Sequence, residues 1–133
     1  MFLKGLLLVL LVGPSACTKT DADSATCLRN LQEIGSASRV FELANKRMPA
    51  DFRSLRPYLS QPQVLICPAY HRKPPRSWND MDWAGVTYEL VRPGLKLAET
   101  QSVVKVFARC PKHGYLCLGD GSVLKRPHCE TVP

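Results

Sequence analysis

Residues 24–46 decide the fold, and they read SATCLRNLQEIGSASRVFELANK. Positions on one side of this stretch recur at three- and four-residue steps, namely Cys27, Leu31, Ile34, Ser38 and Phe41. This spacing is typical of the inner face of an amphipathic helix. Asp23 or Ser24 can cap its start, and Met48-Pro49 is expected to end it, because the residue before a proline is pushed out of helical geometry.

Two features, one inside the helix and one after it, indicate how other parts of the chain pack against the helix. The run of small residues from Gly35 to Ser38 leaves room for another element to approach the helix closely. Asp51 is expected to cap a short second helix, and an irregular stretch follows over residues 69–85.

The C-terminal part has the pattern of short strands. Residues 86–91 and 103–108 are rich in β-branched and apolar side chains, and a hairpin is predicted over residues 115–125. If Asp120 and Gly121 are the two turn residues, Cys117 faces Leu124 and His113 faces His128. We therefore predict an α+β fold, in which one long N-terminal helix packs on a small antiparallel sheet.

The N-terminal end has the three parts of a signal peptide. Lys4 supplies the positive charge, residues 5–12 are apolar, and small residues lead to Cys17. The apolar run is shorter than the roughly 20 residues that a spanning helix needs. Since a cysteine directly after the cleavage bond is typical of lipoproteins, we expect residues 1–16 to be removed and Cys17 to carry a lipid. The alternative is an exported protein with a free Cys17.

Domain organisation follows from this interpretation. Residues 17–24 form a lipidated tether, and residues 25–133 form one domain. Loss of Lys4 with the leader lowers the net charge from +7 to +6. The basic residues are scattered, so we expect no nucleic-acid partner, while a polyanion-binding lipoprotein remains an alternative.

Six cysteines in 133 residues fit an oxidising compartment. We expect one disulfide between Cys27 and Cys67 and a second between Cys110 and Cys129, with Cys117 left as a small buried residue.

Zinc is the competing interpretation of the same residues. Potential ligands lie close together in the C-terminal part, namely Cys110, His113, His128 and Cys129, and Cys67 and His71 could add to them.

No set of catalytic residues is recognisable in the sequence, and neither a cofactor nor a metal is expected. Asp80 and Asp82 are expected to lie in a solvated turn, with a calcium site as the alternative. Trp78 and Trp83 fit either a core cover or a contact face.

Several segments in the same order resemble type IV pilin-like proteins and type II secretion pseudopilins, in particular a group with a C-terminal His…Asp-Gly motif. The matching pieces are residues 27–35, Arg47-Met48-Pro49, residues 65–68, Val86-Thr87-Tyr88, His113, and Asp120-Gly121 with Ser122 and Val123. The chain departs from this group in having a lipoprotein-like leader in place of the long membrane segment, and in a shorter spacing between His113 and Asp120.

The resemblance implies a pseudopilin-like head on a lipid anchor. From it we expect a non-enzymatic interaction protein in the cell envelope, periplasmic or on the outer surface, with protein partners there and an accessory role in a secretion or pilus-like system. The alternative from another class is a small exported enzyme or redox protein that depends on zinc or a thiol.

Overall fold

The structure, a computed structural model, describes residues 22–94, 96 and 106–125. Its longest element is helix α1, Ala22–Asn45, which begins slightly before the expected caps. It ends before Met48-Pro49 is reached, because Lys46 adopts a left-handed backbone with φ 57°. No helix among the described residues is both long and apolar enough to cross a membrane. The predicted leader, Cys17 and most of the tether lie outside the described residues.

The segment between α1 and the sheet is built from short 3₁₀ turns rather than regular helices. They span Arg53–Tyr58, Pro62–Leu65, Pro68–Tyr70, Trp78–Asp80 and Trp83–Gly85. The predicted second helix is the 3₁₀ turn Arg53–Tyr58, and its N-cap is Phe52 and not Asp51. Asp51 still lies at the start of this turn, where its Oδ1 accepts hydrogen bonds from the N–H and hydroxyl of Ser54 at 2.8 and 2.7 Å. Proline recurs through this segment and withholds backbone donors, which favours single turns.

Four strands form one antiparallel sheet in the order β1-β2-β3-β4. Their bounds are Glu89–Leu90 for β1, Val106–Arg109 for β2, Leu116–Leu118 for β3 and Val123–Leu124 for β4. The predicted α+β class, with one long helix and a small antiparallel sheet, is confirmed. The first strand is shorter than expected because Thr87 donates its N–H to the carbonyl of Leu65, at 3.2 Å, instead of to a strand.

The predicted hairpin register is wrong by one residue. The N–H of Leu118 donates to the carbonyl of Ser122 at 2.8 Å, so the loop contains three residues and not two. Gly121 has φ +88° and occupies the left-handed position that closes such a loop. Cys117 therefore pairs with Val123 and not with Leu124. His128, the expected partner of His113, lies outside the described residues.

Helix α1 packs against this hairpin at its run of small residues, as the sequence predicted. A Cβ on Gly35 would collide with the carbonyl oxygen of Gly121 and would lie 3.0 Å from the sulfur of Cys117. A glycine is therefore required where the two backbones meet. The core between helix and sheet contains Leu31, Ile34, Leu55, Leu65 and Phe107.

Candidate metal centre

Three cysteines and one histidine from distant parts of the chain meet in the interior. We call them the four-ligand cluster, and its members are Cys27, Cys67, Cys110 and His113. Their sulfur and ring-nitrogen atoms all lie within 4.8 Å of one another. The cysteines are fully buried and the histidine is half-buried. The cluster joins α1, the irregular segment and the sheet.

The turn between β2 and β3 supplies two of these side chains. Cys110 directly follows β2, and its N–H donates to the carbonyl of Tyr115 at 3.0 Å, while the N–H of Gly114 donates back to Cys110 at 2.8 Å. Gly114 has φ 69°, a conformation that glycine adopts without steric cost. The tight turn aims the His113 N–H at the Cys110 sulfur, 3.5 Å away. A Cys-x-x-His pair of this kind can present two ligands to one ion.

Backbone hydrogen bonds also position Cys67. Its N–H donates to the hydroxyl of Thr87 at 2.7 Å, and Thr87 is in turn bonded to Leu65. Cys67 directly precedes the 3₁₀ turn Pro68–Tyr70. Cys27 comes from the inner face of α1, one turn before Leu31. Three separate parts of the backbone therefore determine where the sulfur atoms lie.

The separations among Cys67, Cys110 and His113 fit a single tetrahedral ion, and the sulfur of Cys27 lies within 4.8 Å of these three ligand atoms. The sulfur of Cys67 lies 3.7 Å from that of Cys110, and the Nδ1 of His113 lies 3.3 and 3.6 Å from these two sulfurs. A tetrahedral zinc ion, with bonds of about 2.3 Å to sulfur and about 2.0–2.1 Å to nitrogen, sets these distances at about 3.8 Å and about 3.6 Å. The side chains of Cys67, Cys110 and His113 are therefore close to the positions that they would occupy around zinc.

Electrostatics within the cluster favour a bound cation. Hydrogen bonds from the thiols of Cys27 and Cys67 hold the pKa of Cys110 well below its ordinary value, although burial opposes this. The pKa values of Cys67 and Cys27 are raised, and the largest contribution in each case is the hydrogen bond with Cys110. Each of the three buried sulfurs thus affects the ionisation of the other two, and burial opposes the ionisation of all three. A divalent cation would allow all three to ionise, because it compensates the buried charge.

Two tyrosines contact members of the cluster, Tyr115 at His113 and Tyr88 at Cys27. The ring of Tyr115 stacks on His113 with centroids 5.6 Å apart, and its hydroxyl hydrogen-bonds to Ser24 in the first turn of α1. Asn30 donates to the hydroxyl of buried Tyr88 at 3.2 Å. Such outer contacts are typical around protein metal sites, where they fix ligand orientation.

The predicted Cys27–Cys67 disulfide is absent in the described part of the chain, and the predicted Cys110–Cys129 disulfide stays a prediction because Cys129 lies outside it. Cys27, Cys67 and Cys110 are free thiols. Cys27 and Cys67 do come together as expected, with their sulfurs within 4.8 Å of each other, but both are free cysteines and no bond joins them. Cys117 is buried and free, as expected of the leftover thiol.

The set of possible zinc ligands in the structure differs from the set that the sequence suggested. Cys110 and His113 are brought together, and Cys67 joins them, whereas His71 is exposed and not part of the cluster. His128 lies outside the described residues. Cys27 was missed as a ligand because a lone cysteine on a helix face has no local ligand spacing. Only its position opposite the β2–β3 turn reveals it.

The other candidate residues have structural roles in the described part of the chain. Asp80 accepts from the hydroxyl of Ser77, and Asp82 accepts from the N–H of Ala84. Both lie in a turn, as expected. Of the His…Asp-Gly motif, His113 belongs to the four-ligand cluster, while Asp120 and Gly121 form the hairpin loop.

The two tryptophans stack on each other at the edge of the core. The ring centroids of Trp78 and Trp83 are 6.1 Å apart, and both rings are half-buried against the core. The guanidinium of Arg53 lies over Trp83 and that of Arg56 over Trp78, at 5.3 and 5.7 Å. The tryptophans therefore act at least as a cover for the core.

No protein-family model matches the chain, and neither does any curated protein or solved structure.

Proposed function

We propose that the chain is a zinc-binding protein whose four-ligand cluster holds one Zn²⁺ ion. The observation that carries this proposal is the convergence of three sulfurs and one imidazole nitrogen within 4.8 Å, where the separations among Cys67, Cys110 and His113 match a tetrahedral ion. Thiolate and imidazole are ligands that zinc prefers, whereas calcium and magnesium prefer oxygen. An iron–sulfur cluster places several atoms between its cysteines and needs a wider cage than this one.

The zinc ion has a structural role in this proposal. Four protein ligands complete a tetrahedron and leave no position for a substrate or a water molecule, which distinguishes structural from catalytic zinc sites. The three sulfurs are fully buried, which further restricts access. The ion joins α1 to the loop and the sheet of a domain with few regular elements. The protein is then an interaction module that acts by contact and not by catalysis.

We also propose a location and a partner for this module, from the N-terminal leader and from the resemblance to pseudopilins. The module is a pseudopilin-like head, exported and attached to a membrane of the cell envelope through a lipid on Cys17. It acts as an accessory to a secretion or pilus-like system and contacts other envelope proteins there. Support comes from the leader before Cys17 and from the short distance between that cysteine and α1, which starts at Ala22. Mass spectrometry of the native protein would detect the lipid.

Metal analysis of matched variants tests the zinc proposal. The purified protein is expected to contain one zinc ion per chain, and Cys67→Ala is expected to lose it. Cys117→Ala is the matched control, because Cys117 is equally buried but lies outside the four-ligand cluster. The control should retain full zinc content. A parent protein without stoichiometric zinc, even after reduction and reconstitution with Zn²⁺, would refute the proposal.

A further inference from the structure

The four-ligand cluster contains one pair of sulfurs that differs from the rest in its backbone setting. Cys67 and Cys110 lie 3.7 Å apart, and neither is inside a regular element: Cys67 precedes a 3₁₀ turn and Cys110 follows the end of β2. Cys27, in contrast, lies within the 24-residue helix α1. A disulfide requires the sulfurs to approach to about 2.05 Å. Loop backbones can accommodate that movement more readily than a helix packed on its inner face.

We propose that Cys67 and Cys110 are the oxidation site of this domain: when the metal leaves, these two residues form a disulfide and Cys27 remains a thiol. This inference rests on the proposed zinc site for its regulatory meaning. Because the same two sulfurs ligate the ion, the zinc-bound and disulfide states exclude each other. His113, which contacts both sulfurs, is half-buried, whereas the three cysteines are fully buried, so it is the most exposed member of the cluster.

The reaction requires a disulfide as the oxidant, either a small molecule or a thiol oxidoreductase. One thiolate of the pair attacks a sulfur of the oxidant, forms a mixed disulfide and expels the first thiolate of the oxidant. The second protein thiolate then attacks the mixed disulfide at the protein sulfur and expels the other half of the oxidant. Two protein thiols are oxidised by two electrons, the oxidant is reduced to two thiols, and the zinc ion is released.

As a consequence, the amount of zinc bound to the domain depends on the redox state of its surroundings. With zinc bound, α1 is held to the loop and the β2–β3 turn together. In the oxidised state the loop stays joined to that turn through the Cys67–Cys110 bond, but α1 loses its metal link through Cys27. Oxidation therefore acts on the contact between the helix and the rest of the domain.

Oxidised glutathione provides the test on the full-length protein. Metal-free and zinc-loaded samples are incubated with it, zinc release is followed with a chromogenic chelator, and disulfides are mapped by non-reducing peptide mass spectrometry. The expected product is the Cys67–Cys110 bond, with one zinc ion released per bond formed and slower oxidation when excess Zn²⁺ is present. Cys27→Ala should still form this bond, whereas Cys110→Ala should not.

Three results would overturn the inference. They are a dominant Cys27–Cys67 or Cys110–Cys129 bond, zinc release without any new disulfide, and disulfide formation with the zinc retained. Failure of the zinc proposal itself gives a separate result, because the parent protein then binds no zinc before any oxidant is added. The bond that forms in the metal-free sample still decides which pair is oxidised.

Discussion

The sulfur of Cys67 lies 3.3 Å from the Nδ1 of His113, although 46 residues separate them in the chain. This contact exists because the Cys67 N–H is bonded to Thr87 while the β2–β3 turn fixes His113 from the other side. Two independent parts of the backbone thus aim at the same point. An ion at that point would couple the irregular segment to the sheet.

Removal of zinc is expected to destabilise the whole domain. Structural zinc in small domains contributes about 10–16 kcal/mol of apparent binding free energy, which is comparable to the roughly 5–15 kcal/mol stability of a typical domain. A strong chelator should therefore lower the thermal midpoint measured by circular dichroism and expose the core. The chelator should have no further effect on Cys67→Ala. An unchanged midpoint for the parent protein after verified metal removal would contradict this expectation.

The two histidines in the described part of the chain, His71 and His113, should differ in their effect on zinc affinity. His113→Ala removes a ligand, and since even outer contacts of metal sites change affinity by about 10–100-fold, the loss should exceed that range. His71→Ala is the control, because His71 is exposed and lies outside the cluster. Competition with a fluorescent zinc chelator measures both affinities. Equal affinities for the two variants would show that His113 is not a ligand.

Gly35→Ala should destabilise the fold without removing a ligand. The added Cβ would collide with the backbone of Gly121, and overpacking of this kind costs about 1–3 kcal/mol. Ser36→Ala, one residue further along α1, is exposed and should change the stability by less than about 0.5 kcal/mol. Urea unfolding of the zinc-loaded proteins gives both values. A neutral Gly35→Ala would mean that the helix and the hairpin are further apart than described.

Cys117 should make the domain less stable in alkali. Burial, with a smaller effect from the charge of Asp120, raises the pKa of its thiol from 9.0 to about 12. The unfolded chain therefore releases this proton at a lower pH than the folded one, and the stability falls as the pH rises from 9.0 towards about 12. Cys117→Ala should show a shallower fall in urea unfolding over this range. Identical slopes for the variant and the parent would contradict the assigned pKa.

The sequence predicts the parts of the fold that depend on local pattern. The spacing of Leu31 and Ile34 identifies the inner face of α1, and the small side chains near Gly35 indicate where another element packs. The α+β class follows from the same patterns. The lengths of β1 and β4 do not, because strands of two residues carry too little alternation to be recognised.

Two features depended on information that the local sequence does not contain. The dipeptide Asp120-Gly121 is typical of a two-residue turn, but Gly121, with φ 88°, also suits the last position of a three-residue loop, and this loop shifts the register. The metal site needs the tertiary fold, because Cys27 and Cys67 each stand alone in the chain. Only the Cys110-x-x-His113 pair had a local signal.

X-ray absorption at the zinc edge tests the central claim most directly, because it reports the atoms bound to the ion. The four-ligand cluster predicts three sulfur neighbours at about 2.3 Å and one nitrogen neighbour at about 2.0–2.1 Å. A first shell made only of oxygen and nitrogen, as for an ion bound at the surface, would contradict the account.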